Sequence, residues 1–302
     1  MILYLAIAGS CAEQKANAAT APAYTLDGIS FSDYVAATGQ NITELVNGPD
    51  ELLLADYASS SIKSYSFDDT TVPNFSSADD TLSIGNNSSR ALVFGDSGNY
   101  IYIGGVNAST NIVRHALSTA YDIGTTTGST QTVSSSLYNS GAQGLAFNDT
   151  GTKLFVADGS SVITLTLNTA WDLSAGSKST TNLSGTTDDD GDNIINYTGI
   201  RFNPTGTKMF ISYRNSAGNP ASGSANHPKL AEFDLSTGFD VSTASFARSM
   251  SVNNDIGQYS LTASTFIGGF DWNSDGTKLF IGPVHPDALD SNIGPKVCRY
   301  TF

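Results

Sequence analysis

One short pattern recurs along this chain and restricts its fold more than any other feature. It reads GLAFNDTGTKLF at residues 144–155, GIRFNPTGTKMF at 199–210 and GFDWNSDGTKLF at 269–280. Two weaker copies precede these, ALVFGDSGNYIY at 91–102 and LVNGPDELLL at 45–54. In each copy an apolar residue is followed eight positions later by another, with a polar turn between them. Such a unit reads as a β-hairpin whose Gly supplies the positive φ of a tight turn. A unit repeated in this way cannot bury its faces alone and stacks on copies of itself.

A third strand follows each hairpin. It reads IVRHALSTAYDI at 112–123, VITLTLNTAWDL at 162–173 and LAEFDLSTGFDV at 230–241, with shorter versions IKSYSF at 62–67 and VCRYTF at 297–302. Alternating apolar and polar residues mark half-buried strands. A Ser/Thr-rich fourth strand comes next, for example at 245–252. The anchors Val46, Phe94, Phe147, Phe202 and Trp272 are separated by steps of 48, 53, 55 and 70 residues. The fifth repeat ends after its third strand. Residues 29–34 resemble the missing fourth strand, so the expected fold is all-β: a β-propeller of five four-stranded blades, its N-terminal strand closing the last. Six blades are the alternative. Ring closure removes the edges that an open array would expose. The expected organisation is an apolar, Ala-rich arm over 1–23 and a single propeller domain over 24–302.

Charged residues make up 14 % of the 302-residue chain, and the net charge is −14 with a pI near 4.3. That balance argues against a nucleic-acid partner. It fits a turn-rich β protein with a neutral polar surface. The first nine residues, MILYLAIAG, are too short to span a bilayer. With Ala16-Asn17-Ala18 they resemble a leader peptide, although no Lys or Arg precedes the apolar run. The two readings are an uncleaved docking strand and a removed leader. Cys11 and Cys298 are the only cysteines, and one distant pair is not a disulfide framework.

The FNxxGTKxF hairpin followed by the LSTAYDI-type strand resembles a repeat of β-propellers in phage virion proteins and bacterial surface proteins, over roughly residues 40–302. That resemblance implies a non-enzymatic structural or receptor-binding part of a phage particle: a tail fibre, a tail tip or a capsid decoration. The implied location is the virion. The implied partners are other virion subunits, reached through the N-terminal arm, and a host-surface glycan or protein. The alternative is a secreted, cell-surface adhesin, filament subunit or matrix protein. A propeller hydrolase or lactonase ranks below both, because the innermost segments hold mostly Gly and apolar residues, with Arg201 and Asp271 as isolated exceptions.

Long insertions at 186–198, 212–229, 253–268 and 283–295 all fall in connections that share one face of a propeller. Insertions gathered on one face mark a binding face, or drift in loops that tolerate length cheaply. Binding-face candidates there are Tyr213, Arg214, His227, Tyr259, His285, Asp287 and Asp290. The sharpest local chemistry is DDDGDNIIN at 188–196. Alternate carboxylates can turn several oxygens onto one hard cation. Asp188, Asp190, Asp192 and Asn196 have the one-three-five-nine spacing of calcium loops in integrin-type propellers, which the segment resembles. Calcium is therefore the candidate cofactor, with a solvated acidic loop as the alternative. His227 and His285, each followed by Pro, read as surface loop residues rather than a metal pair, and His115 as a half-buried strand residue. No Ser-His-Asp or Cys-His arrangement is supported, so no catalytic residue is assigned.

Overall fold

The computed structural model describes residues 24–36, 42–47, 51–56, 61–66, 75, 77–84, 89–105, 112–133, 141–159, 161–183, 185–214, 228–252, 267–273, 276–284 and 296–301. A first strand, β1 (Ser30–Ala36), precedes the repeats. The first blade is β2 (Ile42–Asn47), β3 (Glu51–Asp56), β4 (Ser61–Ser66) and β5 (Asp80–Ser83). The second is β6 (Ser89–Gly95), β7 (Tyr100–Gly105), β8 (Ile112–Leu117) and β9 (Thr126–Val133). The third is β10 (Gly144–Phe147), β11 (Lys153–Asp158), β12 (Ser161–Leu167) and β13 (Gly176–Asn182). The fourth is β14 (Tyr197–Phe202), β15 (Lys208–Arg214), β16 (Pro228–Leu235) and β17 (Ala244–Ser251). The fifth is β18 (Ile267–Trp272), β19 (Lys278–Val284) and β20 (Lys296–Thr301), with β1 antiparallel to β20.

The leading strands β2, β6, β10, β14 and β18 touch in that order, and β18 touches β2. The five sheets therefore close into a five-bladed β-propeller. One apolar cluster fills each gap between neighbouring blades, and a fifth joins the last blade to the first through Leu52, Leu54, Phe280 and Val297. The second strands supply the wedges. Tyr102, Phe155, Phe210 and Phe280 are fully buried, each contributing about 1.5–3 kcal/mol relative to exposure.

The repeated turn has a repeated physical basis. The Asn148 side-chain oxygen accepts from the Lys153 amide (2.8 Å), and its amide group donates to Thr150 and Thr152. Asn203 and Asn273 make the same bond to the amides of Lys208 and Lys278. Gly151 needs to be glycine twice over. Its φ is +66°, and a Cβ there would sit 2.1 Å from the Trp171 ring. Trp171 folds back over the turn with a left-handed backbone (φ 63°), and its amide bonds the Gly151 carbonyl at 2.8 Å. Tyr121 covers Gly98 and Phe239 covers Gly206 in the same way. Each covering ring also packs on the hairpin's own aromatic. The centroid distances are 5.0 Å for Phe94–Tyr121, 4.8 Å for Phe147–Trp171 and 5.4 Å for Phe202–Phe239.

In the fifth blade this ring comes from the other end of the chain. Tyr24 covers Gly276 and lies 5.5 Å from Trp272. Thr25 then replaces the Asp of the other connectors. Its hydroxyl accepts from the Asp27 amide (3.2 Å), as Asp122, Asp172 and Asp240 accept from the amides of Gly124, Ser174 and Ser242. The N-terminal contribution is thus a whole connector plus a strand, longer than the 29–34 segment expected from sequence. Glu232, fully buried on β16, clamps it to the fourth blade. Its carboxylate accepts from the Thr25 hydroxyl (2.9 Å), the Leu26 amide (2.7 Å) and the Lys208 ammonium.

Candidate functional site

In an antiparallel blade, strand one to strand two turns on one face and strand two to strand three on the other. The glycine hairpins and their aromatic covers therefore share a face, called here the hairpin face. The four long insertions leave from the opposite face. Tyr24 lies on the hairpin face, because it packs on the β18–β19 turn.

The described insertion joins β13 to β14. The Asp188 amide donates to the Asp192 carbonyl (2.9 Å), the Ile194 amide donates to the Thr186 carbonyl (3.0 Å), and Gly191 turns with φ 82°. Leu183 and Ile194 bury at its base between the third and fourth blades. Asn196 leads into β14 with φ 53°, a left-handed conformation that Asn tolerates. Asp189 accepts from the Ser249 amide on β17 at 2.7 Å, which ties the tip to the outermost strand of the fourth blade.

Asp188, Asp190 and Asp192 do converge, and Lys229 stands at the centre. Its ammonium, on a side chain 4 % exposed, donates to Asp188 Oδ2 (2.6 Å), Asp190 Oδ2 (2.8 Å) and Asp192 Oδ2 (3.0 Å). Tyr213 Oη donates to Asp188 Oδ2 at 2.6 Å, and the amides of Asp190 and Asp192 donate to Asp188 Oδ1 at 3.0 and 2.8 Å. Burial alone would raise the Asp188 carboxyl. The hydrogen bonds from Lys229, Tyr213 and the Asp192 amide outweigh it and hold the group below its ordinary value. Burial would lower Lys229, but the three carboxylates hold it above its ordinary value. Burial, then Asp188, pushes the Tyr213 phenol up. Among the described residues no three carboxylates, imidazoles or thiolates stand around an open position.

Tyr213 is therefore fully buried beneath the loop rather than displayed on it. Arg214 ends β15 opposite Pro228. His227, Tyr259, His285, Asp287, Asp290 and Cys11 lie outside the described residues. Cys298 is buried on β20 opposite Ile281 and Tyr34. His115 is half-buried on β8, and burial lowers its imidazole below the ordinary value.

On the inner strands β14 and β18, Arg201 and Asp271 are engaged between blades. Arg201 Nη1 donates to the Leu145 carbonyl on β10 (2.9 Å), and Arg201 Nε pairs with Asp271 on β18 (3.3 Å). Three blades are tied at their inner edge. The backbones meet closely there, since a Cβ on Gly144 would lie 2.6 Å from the Gly199 Cα. Further out, Arg114 and Tyr102 donate to the Trp171 carbonyl of the next blade, and Lys153 donates to the Phe239 carbonyl. Of the 14 Lys and Arg residues, all but Lys15 lie within strands. Every connection after Lys15 is therefore free of Lys and Arg, and the acidic groups of the 188–192 loop find their cation on a strand rather than within the loop. In the sequence Lys229 stands at the end of another insertion, about 40 residues from the carboxylates it joins, so no local spacing signals the contact.

No protein-family model matches the chain, and no curated protein does. Among solved structures it is similar to a protein from Bacteroides uniformis provisionally assigned as a 6-phosphogluconolactonase, at 16 % identity and a TM-score of 0.42, covering 78 % of this chain and 62 % of that one. It is similar to a chain of a nidogen/laminin complex at 14 % identity and a TM-score of 0.47, covering 74 % and 66 %. A functionally unknown protein from Desulfotomaculum acetoxidans gives 12 % identity and a TM-score of 0.45, covering 86 % and 89 %. The chain thus spans less than two thirds of the first two structures, and likenesses this distant carry no inference about activity.

Proposed function

We propose that the chain is a non-enzymatic structural or receptor-binding component of a phage particle, anchored from the hairpin face and presenting the insertion face outward. The observation that carries this reading is the position of Tyr24. The chain enters the propeller on the face of the glycine hairpins, opposite the four long insertions. A docking arm preceding Tyr24 leaves the insertion face free for a host-surface glycan or protein. The pairing of Arg201 with Asp271 supports a non-catalytic centre, because it occupies the two charged groups of the β14 and β18 inner strands. The repeat resemblance to virion propellers supports the location.

The leader-like first 18 residues favour a second reading, a secreted surface adhesin of the same fold. Peptide mass spectrometry on density-purified particles and on the host envelope separates the two. The proposal expects a Met1-containing peptide at stoichiometric abundance in particles. A chain found only in the envelope or medium, beginning near Ala19, would overturn it.

A further inference from the structure

We propose that Lys229 is the resident cation of the 188–192 loop, a tethered ammonium standing where a calcium loop holds its metal. The insertion is then rigid without a metal ion, and removal of this one lysine exposes a divalent-cation site.

Valence closes the site to a metal. An ammonium has three N–H donors, and here each reaches a different carboxylate within 3.0 Å. Asp188 is saturated as well. Its Oδ1 accepts two backbone amides, and its Oδ2 accepts Tyr213 and Lys229. A carboxylate has about four lone-pair sites, so Asp188 has none left for a metal. Calcium takes six to eight oxygens. To enter, it would have to evict an ammonium that is almost wholly buried.

The scaffold that shapes the loop does not depend on that ammonium. The amide bonds to Asp188, the Tyr213 hydroxyl, the Asp189–Ser249 clamp and the buried Ile194 would all persist in its absence. What remains is three carboxylates facing one point, Asp188 fully buried and Asp192 partly so. Without a counter-charge they repel each other, and a divalent cation restores the balance. The Tyr213 phenol beside Asp188 also makes the site visible, because terbium bound there is excited through tyrosine.

The test uses the full chain as wild type, K229M, D188N and K229M/D188N. Thermal unfolding is followed in chelator and in millimolar calcium, with a terbium titration read by tyrosine-sensitised emission. Wild type should melt at the same temperature in both solutions and show no saturable emission that D188N removes. K229M should melt roughly 5 °C or more lower in chelator, recover in calcium through ligand linkage, and give saturable emission that the double variant loses. A wild-type melting point that rises with calcium, with the rise abolished by D188N, would overturn the proposal. So would a folded K229M with no calcium or terbium response. If K229M does not fold even with calcium, wild type against D188N decides: saturable terbium binding lost on D188N refutes a lysine-closed loop, and its absence sustains one.

Discussion

Glu232→Ala is the most informative single perturbation of the ring closure. The wild-type carboxylate is fully buried and joins the 24–27 segment to the fourth blade. Truncation leaves the buried Leu26 amide without its 2.7 Å acceptor, at about 1–3 kcal/mol for an orphaned donor. Lys208 also loses a partner but keeps Asp234 at 2.9 Å, so the loss falls below the ~3–5 kcal/mol of a wholly broken buried pair. Arg248 retains Asp27 at 2.7 Å. Together these give about 3 kcal/mol, which corresponds to a fall in Tm of roughly 6 °C. The loss should also be local. Hydrogen exchange in residues 24–36 and 296–301 should quicken roughly 100-fold, the equivalent of ~3 kcal/mol in an opening equilibrium. The second and third blades should change little. Glu232→Gln, which keeps an acceptor of the same shape, should lose less. Exchange that rises equally in every blade, or not at all in 24–36, would refute the closure described here.

Other consequences are equally direct. Gly151→Ala puts a Cβ 2.1 Å from the Trp171 ring at φ +66° and should cost about 3 kcal/mol, whereas Gly159→Ala, at φ +54° with open space around it, should cost only about 1 kcal/mol; paired denaturant melts compare them. The Trp171 carbonyl accepts from Tyr102 at 2.6 Å and Arg114 at 2.9 Å, so Tyr102→Phe and Arg114→Met should each cost about 1 kcal/mol, and the double variant more than their sum, because only then is the acceptor left bare. The insertion should grip within a defined pH window. Asp188 is held below its ordinary 3.8, so its contribution is complete above that value and is lost as pH falls through the folded value. Lys229 is held above its ordinary 10.5, so its contribution is complete below that value and is lost as pH rises through the folded value. The stability gap between wild type and D188N should therefore narrow on acidification, and a gap independent of pH would contradict the assignment.

Repeated chemistry was legible in the sequence, and contacts across the chain were not. The FNxxGTK turns could be placed because every part of the Asn148–Lys153 network lies within five residues. The blade count followed from that repetition. Tyr24 escaped notice because it sits at the edge of an Ala-rich stretch and is followed by Thr25 where the other connectors have Asp, although the hydroxyl makes the same turn. The aspartates at 188, 190 and 192 announced a cation site, but nothing local announced that the cation would be an ammonium from β16. Tyr213 borders an insertion and so reads from sequence as a binding-face candidate. In β15, however, Met209, Phe210, Ile211, Ser212 and Tyr213 are all buried. A second strand is covered by blades on both sides, so alternation along it does not separate inside from outside.

Cryo-electron microscopy of purified particles tests the proposed anchoring. Five-bladed density should stand on the particle, with chain running from the hairpin face beside Gly276 into the particle wall and the connections around residues 186–198 facing solvent. Particles without such density, or with the insertion face buried against the wall, would contradict it.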